Sequence, residues 1–172
     1  MIASVSAFAG YFDGVRSRTR HFVGAVPSDR VDWAPRSGEY TVGDIVRHLA
    51  GCELMFVGAV VDGAWRYPGH ERGVAPTLEA ALAHLDAGHA QAAARLRTLT
   101  DGALDETRPA LEPGARPVRA WRLLLAMTEH EVHHRSQLAS YLTWMGVDAP
   151  DIFGLGVEDV ERLTAQVAGR ER

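Results

Sequence analysis

The run Glu129-His130-Glu131-Val132-His133-His134-Arg135-Ser136-Gln137 carries three of the chain's eight histidines. On a helix, residues four apart stand one above the other on a single face. His130 and His134 can therefore offer two imidazoles to one metal ion, and imidazole suits Zn, Ni, Cu or Fe. The same letters spell H-E-x-x-H, in which the glutamate beside two ligating histidines is the general base of a zinc protease. His133 falls about 60° from His130 by the helical period and is expected at a flank or surface. A third histidine, His48, lies far away in sequence beside another apolar stripe. A neutral imidazole inside a helical bundle leaves polar nitrogens to satisfy. Three histidines on two facing helices satisfy one another through a metal, and bundle interiors are a known place to build such sites. Three protein ligands also leave an open position, the catalytic form of a zinc site.

Plainer readings stand beside these. A buried histidine taken singly is more often a hydrogen-bonded core residue. Cys52, one turn after His48, makes a His-x-x-x-Cys pair conceivable, but a single cysteine on an apolar helix face is more often core. His89 reads as a core histidine, a substrate contact or a fourth ligand, in that order. His21, His70 and His84 read as loop or surface residues. Glu53, Arg135 and Gln137 are the candidate catalytic residues. Glu53 and Gln137 could orient a ligand or substrate, and Arg135 could bind a carboxylate. Once His48 is counted as a ligand, Glu131 reads as a helix-surface residue.

Four amphipathic helical patterns must position these groups. The first covers about 3–26, with Phe8, Phe12, Val15, Thr19, Phe22 and Val26 on the helical period and Pro27 ending it. The second opens at Thr41, a good N-cap with Asp44 three residues on, and carries Ile45, Leu49, Cys52, Phe56, Ala59 and Val60 to about Ala64. Pro68, Gly69, Gly73 and Pro76 break the chain over 65–76. The third opens at Thr77, carries Leu78, Leu82, Leu85, His89, Ala92, Leu96 and Leu99, and closes at Asp101-Gly102. The fourth runs from about Val118 to Met145 and stops at Gly146, a good residue for the position after a helix. A short tail helix is expected over 157–168. Four such helices without strands predict an all-α four-helix bundle filling one domain, 1–172. The 65–76 connection, at about 3.3 Å per residue, can run most of a helix length, so a parallel second and third helix is possible.

The chain has 172 residues, 47% of them hydrophobic and 23% charged, enough for one sizeable core. A net charge of −4 argues against a nucleic-acid partner, which needs a basic footprint. One cysteine permits no intrachain disulfide and fits a reducing compartment. No signal peptide or membrane-spanning run is evident, so the expectation is a soluble cytoplasmic protein with no membrane partner.

Two stretches together resemble the DinB/YfiT-like superfamily of metal-dependent enzymes. One is Val31-Asp32-Trp33-Ala34-Pro35 followed by Tyr40-Thr41-Val42-Gly43-Asp44-Ile45-Val46-Arg47-His48-Leu49-Ala50-Gly51-Cys52-Glu53. It is similar to the family's W-x-P turn and the helix that carries its first histidine. The other is Glu129 to Leu138 with Tyr141, Leu142, Gly146 and Pro150, similar to the family pattern H-x-x-x-H-H-R-G-Q. Ser136 stands where glycine is usual, a mild departure in a helix interior. The resemblance implies an up-down-down-up bundle, a homodimer, and a divalent metal, Zn or Ni, held by His48, His130 and His134. It also implies transfer of a low-molecular-weight thiol of the bacillithiol or mycothiol type to a small electrophile, or a related metal-dependent hydrolysis. Two alternatives stay open: a non-enzymatic metal-binding bundle protein, and an HExxH zinc protease with Glu131 as base and Glu158 as third ligand.

Overall fold

The computed structural model describes residues 2–170. Its main helices are α1 (Val5–Gly24), α2 (Val42–Asp62), α3 (Leu78–Leu96) and α4 (Ala120–Trp144). The tail helix α5 spans Val157–Arg170. Local chemistry fixes the starts. Ser4, Thr41 and Thr77 each cap a helix through the side-chain oxygen. At Thr41 the cap is reciprocal, with Asp44 Oδ2 accepting from the Thr41 backbone N–H at 3.0 Å and the Asp44 N–H donating to Thr41 Oγ1 at 3.1 Å. Gly146, at φ +75°, takes the left-handed conformation that ends α4.

Two boundaries differ from the sequence expectation. The third helix ends at Leu96 rather than at Asp101. The Thr98 and Leu99 N–H groups donate to Arg95 and Leu96 carbonyls in a tightened last turn. Asp101 instead receives the Val5 N–H at 2.8 Å and so anchors the start of α1. The bundle also carries strands, against expectation: β1 (Thr107–Arg108) pairs antiparallel with β2 (Val118–Arg119), the latter expected to be helical. Two-residue strands are too short to show alternation in a sequence.

The helix directions follow from side-chain pairs. Ala50 faces Gly88, Glu53 bonds His89 and Asp62 pairs with Arg95, so α2 and α3 run parallel. Asp13 meets His89 and Arg20 meets Asp86, so α1 opposes α3. His48 neighbours His134 while Phe56 neighbours His130, so α4 opposes α2. The result is the up-down-down-up bundle. A parallel pair needs a long connection, and residues 63–77 supply it.

The core is two apolar clusters with a charged layer between them. Phe8, Phe12, Val57, Leu96, Leu124 and Met127 lie in one. Phe22, Ile45, Leu49, Leu85, Leu138 and Leu142 lie in the other. Arg16, Glu53 and Glu131, each 2% exposed, fall between these sets along α1, α2 and α4. Arg16 Nη2 donates to Glu53 Oε2 at 2.6 Å and stands 3.2 Å from Glu131 Oε2.

Candidate metal centre

His48 leaves α2 toward α4, and the ends of the two residues' rings meet. His48 Nε2 is 3.0 Å from His130 Nε2. Two bare imidazole nitrogens at that distance repel unless a proton or a cation lies between them. His134, one turn after His130, brings its ring centroid within 4.9 Å of His48 and 4.5 Å of His130. Cys52, one turn after His48, adds its Sγ to the same place. The donor atoms of His48, Cys52 and His130 all lie within 4.8 Å of one another.

The far sides of the His134 and His48 rings are held. Gln137 Oε1, which can only accept, sits 3.0 Å from His134 Nδ1. That nitrogen must carry the proton, and Nε2 keeps a lone pair. The Gln137 amide in turn donates to Tyr141 Oη at 3.1 Å, and the Tyr141 hydroxyl donates to the Tyr40 carbonyl at 3.0 Å. On the other side Tyr67 Oη stands 2.9 Å from His48 Nδ1 and 2.6 Å from His70 Nδ1. With His48 Nδ1–H donating to Tyr67 and the Tyr67 hydroxyl donating to His70, every group uses its one proton, and His48 Nε2 is left as an acceptor.

The electrostatics agree with this assignment. Burial, then the charge of His134 and His70, pushes His48 down to about 4. Burial and the neighbouring histidines push His130 down to about 3. Burial also lowers His134, against its bond to Gln137. All three are neutral imidazoles near pH 7, the form that ligates metal. Burial, then the charge of Glu131, pushes the Cys52 thiol up to about 12. In tetrahedral zinc with Zn–N bonds of roughly 2.0–2.1 Å, two nitrogens stand about 3.3 Å apart. The 3.0 Å between His48 and His130 fits that edge after a small outward relaxation.

The crossover covers this site because α2 lets it approach. A Cβ on Gly51 would stand 2.9 Å from the Gly69 carbonyl oxygen and 3.0 Å from Tyr67 Cε2. Only glycine admits the loop so close. Arg47, 1% exposed, then ties the loop down, with Nε donating to the His70 carbonyl at 2.9 Å and Nη1 to the Ala75 carbonyl at 2.8 Å.

The structure brings His48, His130 and His134 together, with Gln137 behind His134. The remaining candidates go elsewhere. Both Glu53 oxygens are engaged in the charged layer, by Arg16 and by His89 Nδ1 at 2.8 Å. Arg135 is buried, with Nη1 donating to the Val15 carbonyl at 3.5 Å. Neither is placed to orient a substrate at the histidines. Glu131 is not a surface residue: it is 2% exposed and faces Arg16. A base held there is not free to serve a bound water, and Glu158 is exposed on α5, which removes the geometry a zinc protease needs. His89 is a hydrogen-bonded residue between Glu53 and Asp13. His133 is exposed, its ring 4.9 Å from that of His134. Tyr67, His70 and Arg47 were not expected at the site. A loop leaves no periodic signal, and the burial of Arg47 beside His48 is seen only in the structure.

The model of the DinB superfamily matches residues 11–138. None of the functionally curated proteins searched matches the chain. Among solved structures, a DinB-like protein of Bacillus cereus is 15% identical and superposes with a TM-score of 0.72, over 88% of this chain and 99% of that one. A DinB-like protein of Bacillus subtilis is 19% identical with a TM-score of 0.67, over 85% and 96%. YfiT of Bacillus subtilis, described as a probable metal-dependent hydrolase with an unusual four-helix bundle topology, is 20% identical with a TM-score of 0.58, over 81% and 88%.

Proposed function

This chain belongs to the DinB superfamily, and on that premise we propose that it is a metal-dependent enzyme that transfers a low-molecular-weight thiol to a small electrophile. His48, His130 and His134 hold the ion. The observation that carries the reading is the meeting of His48 and His130 at 3.0 Å between their Nε2 atoms, with the His134 ring packed against both and each of His48 and His134 fixed by a hydrogen-bonding partner at Nδ1. A divalent ion bound there, Zn or Ni, supplies the charge that turns a thiol into a nucleophilic thiolate at neutral pH.

The chain's own residues do the rest. Gln137 and Tyr67 hold the His134 and His48 rings through Nδ1, leaving each Nε2 free to ligate. Phe56, with its ring centroid 6.1 Å from that of His130, and Tyr40, 5.6 Å from that of His48, line the site with apolar surface. Such walls favour an electrophile with an apolar body and limit competing water. A second reading, hydrolysis, draws support from the description of YfiT.

The test is elemental analysis of protein purified without a histidine tag, followed by thiol consumption with cysteinyl thiols and a panel of electrophiles. Bound metal near one equivalent, and turnover lost on chelation and in His48→Ala, supports the proposal. Product that contains no thiol assigns the site to hydrolysis. Protein that neither holds nor rebinds metal refutes both and leaves a non-enzymatic bundle.

A further inference from the structure

Resting on the metal-centre reading above, we propose that Cys52 is itself a donor to the ion, so that this chain holds its metal with nitrogen and sulfur together. Four observations converge. Cys52 stands one turn from His48 on the same helix face, and it is 4% exposed. Its Sγ lies 3.4 Å from His48 Nε2 and 3.7 Å from Nδ1, beside the ring between the two nitrogens. Both of these polar contacts are with the His48 ring. The three donor atoms lie mutually within 4.8 Å.

Two of the edges of a tetrahedral site can be set beside the structure. With Zn–N of roughly 2.05 Å and Zn–S of roughly 2.3 Å, the nitrogen–nitrogen edge is about 3.3 Å and the nitrogen–sulfur edge about 3.6 Å. The observed 3.0 and 3.4 Å are each slightly short of these, in the same order. To share an ion held at Nε2, the donors part slightly and the sulfur or the His48 ring turns so that Sγ moves away from Nδ1.

Charge supports the same assignment. Three neutral imidazoles leave a divalent ion its full charge in a half-buried site. A thiolate cancels one unit and lowers the burial cost. The thiol proton leaves to solvent as the metal–sulfur bond forms. A soft sulfur donor also tilts the site toward zinc over nickel. With His134 as well, four protein donors are present, and an incoming ligand has to raise the coordination number to five.

The experiment is to load the metal-free full-length protein with Co²⁺ and record its absorption. Thiolate ligation adds a near-ultraviolet charge-transfer band that imidazole ligation lacks. The band is expected in the wild type, absent in Cys52→Ser and retained in His134→Ala. Zinc affinity, by chelator competition, is expected to fall by about tenfold or more in Cys52→Ser. Cobalt bound with no such band in the wild type overturns the sulfur donor and leaves the three-histidine reading standing. No cobalt bound overturns both. Should Cys52→Ser fail to fold, the wild-type spectrum decides alone.

Discussion

Arg16→Leu tests whether the charged layer holds the helices in register. Arg16 is the cation that meets both Glu53, at 2.6 Å, and Glu131, at 3.2 Å, with all three side chains no more than 3% exposed. Removing one partner of a buried ion pair costs about 3–5 kcal/mol, because the other charge stays buried. Here part of that is returned. Arg16 Nε and Nη1 have no hydrogen-bond partner in the wild type, and deleting such orphaned donors recovers about 1 kcal/mol. A net loss of about 2–4 kcal/mol follows, or about 4–16 °C in melting temperature for a chain of this size.

The pH dependence has a defined sign. Burial raises the Glu131 carboxyl above its ordinary range even with Arg16 present. A carboxyl whose folded pKa lies above its unfolded value is protonated first in the folded state. The deficit of Arg16→Leu is therefore greatest near neutral pH and shrinks on acidification. Adding Glu53→Gln and Glu131→Gln to the same chain should restore most of the lost stability. Urea and thermal unfolding of the metal-free proteins at two pH values measure all of this. A single variant that melts within about 2 °C of wild type, or whose deficit grows in acid, refutes the reasoning.

Three further outcomes follow from the site. Tyr67→Phe removes the partner of His48 Nδ1 from an exposed loop position; metal affinity should fall roughly 10–100-fold while the melting temperature holds, and an unchanged Kd would show that the hydroxyl does not orient the ring. Gly51→Ala drives a methyl into the Gly69 carbonyl and Tyr67; the expected cost is about 1–3 kcal/mol together with a loss of metal affinity, and a variant equal to wild type in both would remove the loop's role. Metal-free protein should lose stability as pH falls below about 6.5, because His48 and His130, held near 4 and 3, resist protons that the unfolded chain accepts. His134, also lowered by burial, adds to this loss, while His89, raised mainly by its bond to Glu53, and Glu131, raised by burial, work in the opposite direction. A metal-free melting temperature that climbs from pH 7 to 5 would contradict this balance.

The legible and illegible parts of the sequence divide by the range of the forces involved. Helices α1 to α4 were readable because their stripes and caps are local: Thr41 and Asp44 interact over three residues, and Phe8 to Phe22 repeat every turn. The meeting of His48 with His130 and His134 was readable because two facing apolar stripes leave few places for imidazoles. Glu131 misled because a charge beside a ligating histidine looks solvated, and its partner Arg16 is on another helix. The role of Tyr67 was hidden for the same reason: its contact depends on how residues 63–77 lie across α2, which Gly51 and Arg47 decide in three dimensions.

That crossover divides labour within the molecule. A bundle with α2 and α3 antiparallel could join them by a tight turn at one end, leaving the face around His48 bare. Running them in parallel sends the chain back along the bundle, and the return path brings Tyr67 and His70 over the histidines. The rods then keep the centre, and an exposed strap supplies what a visitor meets first. Substitutions in residues 63–77 touch few core side chains, so this segment can drift without unfolding the rods. With Tyr67 kept behind His48, related chains could therefore hold one centre and exchange clientele by rewriting the rest of this stretch of surface chain.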